Sequence, residues 1–134
     1  MDVAVVSLFP EMLAPVAQFG VVGRAVRRNL ARVLPVDPRS FATDAHGTVD
    51  DRPYGGGPGM LLKASPVVLC VERILRERGP GRVLLTSPQG RRFTQALARE
   101  FAAEEHLVVV CGRYEGFDER IRQVLGAEEL SIGD

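Results

Sequence analysis

With 134 residues, of which 46% are hydrophobic and 25% charged, the sequence has the balance expected of one soluble globular domain. It contains no apolar run near the roughly 18–20 residues of a membrane span, and its start lacks the basic and apolar segments of a signal peptide. The net charge of zero at pH 7, taken alone, argues against a dedicated nucleic-acid binder.

The first part of the chain predicts two short strands, two helices and a long loop. The strands are expected at Val3–Leu8 and within Ala31–Val36, the helices at Glu11–Phe19 and Val21–Leu30, and the loop at Arg39–Gly59. Pro15 should bend or shorten the first helix. The second helix is amphipathic, with arginines along one side. The predicted loop is longer than structureless loops usually are in a compact domain, which favours a functional role.

The rest of the chain alternates helices with apolar strands. Helices are expected at Ser65–Glu77, Thr94–Ala103 and Asp118–Leu125, and strands at Arg82–Thr86, Leu107–Cys111 and Glu128–Ile132. Ser65 and Thr94 are the expected N-caps. Apolar strands that alternate with amphipathic helices predict an α/β fold, with a mainly parallel sheet and helices on both faces.

The charges are unevenly distributed along the chain. Residues 1–19 carry a net −2, residues 20–99 a net +8 and residues 100–134 a net −6. A basic middle and an acidic end suit a polyanion on one face or a charge-complementary partner subunit, and a scatter of solvated faces is the alternative.

The cysteines and histidines do not form a recognisable site. Cys70 and Cys111 lie far apart on apolar stretches, so their spacing predicts two buried, reduced thiols in a cytoplasmic protein and no metal site. His46 lies in the long loop, where a solvated polar role is the common one. His106 precedes an apolar strand and is expected to be a surface residue or a strand cap.

The run Thr48–Met60 is unusually rich in glycine and proline. These residues exclude a helix or a central strand, and glycines let the backbone approach a ligand closely. A functional loop is therefore predicted here, and a solvated surface loop is the alternative.

Glycine-containing turns follow three of the predicted strands, at Ser87–Gly90, Gly112–Gly116 and Ser131–Gly133. In open α/β sheets, ligands bind beyond the carboxyl ends of the strands, so these loops indicate a pocket for a nucleotide-like ligand. The alternative is that the glycines merely close turns. The chain has neither the G-x-G-x-x-G nor the G-x-x-x-x-G-K pattern, which removes the main support for dinucleotide and P-loop sites.

Five separated segments, in this order and spacing, closely resemble the bacterial tRNA (guanine-N1)-methyltransferases of the knotted SPOUT class. They are Val5–Met12, Tyr54–Gly59, Ser87–Arg91, Cys111–Arg120 and Ser131–Asp134. The resemblance covers essentially all 134 residues. It implies a trefoil knot, methylation of guanine N1 at the tRNA position immediately 3′ of the anticodon, and S-adenosylmethionine (AdoMet) as the methyl donor.

Carried across residue by residue, the resemblance implies a set of cofactor contacts in the three strand-end loops. These are Pro88, Gly90, Gly112, Arg113, Tyr114, Glu115, Gly116, Ser131, Ile132 and Gly133. Glu115 is the candidate catalytic carboxylate: it could orient the donor, bind a divalent cation or help to manage the guanine N1 proton, and the alternative is a simple pairing with an arginine. The family's general base belongs downstream of Asp134, and Asp134 itself is not that residue.

The resemblance also implies partners. Asp50, Gly55 and Gly59 are the candidate contacts that help to hold a flipped guanine. Arg24, on the basic side of the second predicted helix, could contact tRNA phosphates, and an exposed basic face without a partner is the alternative. A homodimer with shared active sites is expected. Residues 1–134 would form the AdoMet-binding domain, and the family's C-terminal tRNA-binding domain is not present in this chain. The alternatives are a non-catalytic module of the same fold that binds AdoMet or RNA, and an unrelated nucleotide-binding α/β enzyme.

Overall fold

The fold is known from a computed structural model, which describes residues 1–41, 50–51, 61–62, 64–112 and 119–133. The helices are Leu13–Val16 (α1), Gly20–Arg27 (α2), Ala64–Arg78 (α3), Gln95–Ala102 (α4) and Glu119–Leu125 (α5), with 3₁₀ turns at Pro10–Met12 and Pro38–Phe41. The strands are Asp2–Val6 (β1), Arg32–Val36 (β2), Asp50–Asp51 (β3), Leu61–Leu62 (β4), Arg82–Arg92 (β5), His106–Val110 (β6) and Glu128–Ser131 (β7). No helix in the described part of the chain has the length and apolar character to cross a membrane.

A five-stranded sheet in the order β2-β1-β6-β5-β7 organises the fold, and every neighbouring pair in it is parallel. This confirms the predicted α/β class with a mainly parallel sheet. β3 and β4 form a separate antiparallel pair. β2 lies at one edge with Pro35 opposite Val5 of β1. An edge strand tolerates proline because it has no second neighbour that needs the missing N–H group.

One face of the sheet is covered by α3 and α5. Side chains of α3 such as Val71, together with Ile121 of α5, pack against alternate residues of the central strands such as Val83, Leu85 and Val108. All five are buried. Since successive side chains of a strand point to opposite faces, the residues between them belong to the other side of the sheet.

α4 covers that other side. Its Leu97 and Phe101 pack with Leu84, Leu107 and Leu130 of β5, β6 and β7. The prediction of helices on both faces is therefore confirmed. The predicted N-cap of α4 is confirmed as well, because the Thr94 hydroxyl accepts a hydrogen bond from the Leu97 N–H at 3.2 Å.

An ionic clamp joins the beginnings of β5 and β7. The guanidinium of Arg82 donates to Glu128 at 2.8 Å and to Glu100 at 3.1 Å, and it lies 4.8 Å from the ring centroid of Phe101. Hydrogen bonding to Arg82 lowers the pKa of the Glu128 carboxyl from its ordinary value of 4.5. The clamp therefore holds the amino ends of these two strands together at neutral pH.

Several predicted boundaries were wrong, mostly where tertiary contacts decide the outcome. β1 ends at Val6 and not at Leu8, because the Ser7 hydroxyl accepts from the Phe9 N–H at 3.0 Å and turns the chain. The helix predicted over Glu11–Phe19 is a 3₁₀ turn followed by the four residues of α1. α3 begins at Ala64, so Ser65 lies inside the helix and is not its cap.

His106 was also misplaced by the sequence reading. It is the first residue of β6 and is 5% exposed, not a surface residue. Its Nδ1–H donates to the carbonyl of Gly79 at 3.0 Å, and its ring lies under Gly81, where an added Cβ would come within 2.9 Å of Nδ1. The absence of a side chain at position 81 makes room for the imidazole. No sequence periodicity encodes that fit.

Candidate functional site

The carboxyl ends of β5, β6 and β7 meet at one edge of the sheet. β5 lies between the other two strands, and all three are parallel, so their C-terminal loops leave the sheet side by side. Six of the predicted cofactor residues lie at this edge and in the described part of the chain: Pro88, Gly90, Gly112, Ser131, Ile132 and Gly133. The predicted convergence of the three strand ends is therefore present.

β5 does not end at Thr86 as predicted; it continues to Arg92. Thr86 and Arg91 both stand opposite Leu130 of β7, so the residues between them, 87–90, leave the ladder and the strand then rejoins it. Within this excursion the Gln89 N–H donates to the Ser87 hydroxyl at 3.2 Å. The sequence predicts the turn at residues 87–90. It does not predict that β5 resumes at Arg91, because this depends on pairing with a strand about 40 residues later.

Gly90 is where the excursion comes back against β7. A Cβ on Gly90 would lie 2.4 Å from the carbonyl carbon of Glu129 and 2.4 Å from the nitrogen of Leu130. Both are backbone atoms, which cannot move aside by a change of rotamer as a side chain can. Glycine is therefore required at position 90 by strand packing alone.

The end of β6 is tied to its neighbours by two backbone amides. The Cys111 N–H donates to the carbonyl of Val6 in β1 at 2.9 Å. One residue later, the Gly112 N–H donates to the hydroxyl of Thr86 in β5 at 3.0 Å. Sequence reasoning had assigned no role to Thr86; the available signal was a hydroxyl residue at the last position before a glycine-containing turn.

The end of β7 is fixed in a similar way. The Phe93 N–H donates to the carbonyl of Ser131 at 2.7 Å, and the buried Ser131 hydroxyl accepts from the Gly133 N–H at 3.2 Å. Gly133 has φ 136°, a conformation that side-chain-bearing residues rarely adopt. Between them, Ile132 is 84% exposed. The turn thus presents an apolar side chain to solvent at the shared edge, which suits a flat apolar ligand surface.

Of the remaining predicted site residues, the structure describes only Asp50 and Arg24. Arg113, Tyr114, Glu115, Gly116, Gly55 and Gly59 lie outside the described residues. Asp50 is described as the first residue of β3, where it stands opposite Leu62 of β4. Arg24 lies on α2 and is exposed, which is compatible with a contact to an extended polyanion.

The two thiols offer no nucleophile in this environment. Burial raises the pKa of Cys70 to about 12, and desolvation also raises the pKa of Cys111, which stands at the end of β6. Both are therefore protonated near neutral pH, and thiolate chemistry at the strand-end loops is disfavoured. Within the described ranges, no group of three or more histidine, cysteine or acidic side chains is arranged to hold a metal ion.

Comparison with known proteins gives one consistent answer. The family model described as tRNA (Guanine-1)-methyltransferase TrmD matches residues 1–134. The chain is 51% identical to a tRNA (guanine-N(1)-)-methyltransferase of Mannheimia succiniciproducens, covering 100% of this chain and 53% of that protein. A protein of the same name from Dehalococcoides mccartyi is 50% identical, with coverages of 100% and 54%.

A solved structure agrees with these relatives. The crystal structure of the tRNA (m1G37) methyltransferase from Aquifex aeolicus superimposes with a TM-score of 0.90 at 36% sequence identity, covering 100% of this chain and 60% of that one. The chain spans about half the length of the curated relatives that it matches.

The close approach at Gly90 yields a prediction about stability. The Gly90→Ala variant should lose more than about 2 kcal/mol of unfolding free energy, because relief of a backbone clash requires the β5–β7 pair to separate. Urea unfolding followed by circular dichroism measures this loss. The neighbouring exposed Gln89→Ala variant is the control and should change stability by no more than about 0.5 kcal/mol. Equal midpoints for the two variants would contradict the packing argument.

Proposed function

Because the chain belongs to the tRNA (guanine-1)-methyltransferase family, we propose that the protein containing it transfers a methyl group from AdoMet to N1 of the guanine immediately 3′ of the tRNA anticodon. The observation that carries this proposal is the meeting of the β5, β6 and β7 ends at one edge of the sheet. We further infer that these three ends form the trefoil knot. The pairing of β7 with β5 on both sides of the 87–90 excursion supports that inference.

AdoMet supplies an electrophilic methyl group bound to a sulfonium sulfur. In the proposed reaction, the protein would hold guanine N1 next to that methyl group, and a base of the protein would take up the N1 proton as the methyl group leaves the sulfur. The strand-end loops would bind and orient the donor: Ile132 offers an exposed apolar side chain, and main-chain groups at Pro88 and Gly133 lie at the same edge. Correct orientation of the two reactants supplies much of the rate enhancement in such transfers.

The proton acceptor is proposed to lie in a continuation of the chain beyond Asp134, together with a tRNA-binding domain. The greater length of the curated relatives supports this view. Within residues 1–134, Glu115 remains the candidate catalytic carboxylate. The binding of a divalent cation beside it remains a prediction. Arg24, Asp50, Gly55 and Gly59 stay the proposed RNA contacts. The cytoplasmic location expected from the sequence is part of the same proposal.

The proposal predicts selective binding of AdoMet. Isothermal titration of the full-length protein should show AdoMet binding more tightly than ATP or NAD, because the site lacks the glycine patterns that hold polyphosphates. In the same preparation, radiolabelled methyl groups should enter tRNA that carries guanine 3′ of the anticodon. Tighter binding of ATP or NAD would contradict the proposal, and AdoMet binding without any methyl transfer would favour a non-catalytic module.

A second prediction concerns assembly. We propose a homodimer in which each active site is completed by the second subunit, as the family resemblance implies. The basic middle and acidic end of the chain are compatible with such a contact, although a two-fold interface places the same patch on both subunits. Sedimentation equilibrium of the full-length protein at micromolar concentration should give a dimer mass. A monomer mass would contradict both the assembly and the shared site.

A third prediction separates the two proposed binding regions. Gly112→Val should abolish AdoMet binding, because the new side chain would stand at the edge where the donor lies. Gly55→Val should impair tRNA methylation and leave AdoMet affinity largely unchanged, because that loop is proposed to approach the guanine. Calorimetry and a methyl-transfer assay on the full-length protein measure the two properties, with thermal melting as the folding control. Equal loss of both properties in two folded variants would refute the division.

A further inference from the structure

Thr86 contacts both strands that flank β5. Its backbone stands opposite Leu130 in the ladder with β7. Its hydroxyl accepts from the Gly112 N–H at 3.0 Å and points its own proton toward the carbonyl of Val110 in β6, at a longer 3.4 Å. This residue is half-buried and is the last one before the 87–90 excursion. One side chain therefore connects the starts of two of the three strand-end loops.

We propose that the Thr86 hydroxyl is a positioning group for the AdoMet site, and that it holds the backbone of Gly112 in the conformation that the ligand requires. This inference rests on the proposed function, since it takes AdoMet as the ligand at this edge. Thr86 acts here through the backbone of Gly112, so it is not offered as a catalytic residue.

The position of Gly112 explains why such a bond matters. The bond from the Cys111 N–H to the Val6 carbonyl ties the end of β6 to β1. Gly112 lies beyond it and is exposed. A glycine at this position has many backbone conformations open to it, and a ligand that needs one of them must bear the entropic cost of selecting it. The Thr86 hydroxyl restricts that choice before the ligand arrives.

The bond also changes the role expected of Gly112. Its N–H group already has an acceptor in Thr86, so an acceptor atom of the ligand would have to displace the hydroxyl to use it. Gly112 is therefore expected to serve the ligand through its carbonyl or through its lack of a side chain. A strand-end pocket is usually assumed to offer its free amides; here one of them is used internally.

Three variants of the full-length protein test the inference. Thr86→Val keeps the shape and removes the hydroxyl, and Thr86→Ser keeps the hydroxyl and removes the methyl group. Thr94→Ala is the matched control, because it removes a threonine hydroxyl that accepts from the Leu97 N–H at the start of α4 and not from Gly112. Calorimetric AdoMet affinity, thermal melting and steady-state methylation of tRNA are measured for each.

Loss of one neutral hydrogen bond should weaken AdoMet binding by about three- to tenfold in Thr86→Val. The KM for tRNA should not change, and Thr86→Ser should bind AdoMet like the wild type. Thr94→Ala should lower the melting temperature and leave AdoMet affinity unchanged. Wild-type affinity in Thr86→Val, or equal weakening in Thr86→Val and Thr94→Ala, would overturn the inference. A wild-type protein that does not bind AdoMet would instead overturn the proposed function on which the inference rests.

A ligand-free measurement gives an independent readout. Hydrogen exchange at the Gly112 amide, followed by NMR, should be faster in Thr86→Val than in the wild type and should be slowed again in Thr86→Ser. Unchanged exchange in Thr86→Val would show that the hydroxyl does not hold the amide and would overturn the inference. If Thr86→Val does not fold, the pair Thr86→Ser and Thr86→Ala replaces it, since both lack the methyl group and only one keeps the hydroxyl. Equal AdoMet affinity in that pair would be the contrary result.

Discussion

The backbone contact between Gly90 and β7 is the constraint on which the site depends. A Cβ on Gly90 would lie only 2.4 Å from backbone atoms of Glu129 and Leu130, so β7 can pass this closely only because position 90 carries no side chain. Because Gly90 allows this close approach to β7, β5 can leave the ladder at Ser87 and pair with β7 again from Arg91 onwards. The ends of β5, β6 and β7 consequently form one edge and not three separate turns.

The two ends of this part of the sheet are held by different kinds of interaction. At the amino ends, the charged group of Arg82 is shared between Glu128 and Glu100 above an aromatic ring, and the neighbouring side chains are well packed. At the carboxyl ends, the hydroxyls of Thr86 and Ser131 accept hydrogen bonds from backbone amides, which fixes the backbone and leaves the surface open. Rigid packing at one end and polar backbone restraint at the other is the arrangement that a preorganised ligand site needs.

The sequence predicts the strands better than the way in which they meet. Apolar runs such as Leu107–Val110 identify buried strands because such a run is buried on both faces of a parallel sheet. The return of β5 after Gly90 is not predictable in this way, since it depends on Leu130 and Ser131, which come about 40 residues later. The role of the Thr86 hydroxyl and the burial of His106 are not predictable for the same reason, because each depends on a neighbour that is distant in sequence.

The candidate site was predictable to the extent that its residues follow strands. Glycine turns after apolar runs located the edge, and the family resemblance supplied the identity of the proposed ligand. What neither source provided was the internal use of polar groups. The Gly112 amide, which a strand-end argument would offer to a ligand, is already donated to Thr86. A pattern of residue types records which groups exist at an edge, but not which of them have partners.

Pro35 has a consequence for how copies of this sheet can associate. It is the fourth of the five residues of β2, and β2 is the outermost strand on its side of the sheet. A sixth strand added beside β2 would meet no N–H donor at Pro35, so edge-to-edge extension of the sheet is interrupted at that residue. On the opposite side, β7 offers only four residues. Both edges of the five-stranded sheet therefore disfavour pairing with a second copy, which opposes open-ended polymerisation through this sheet.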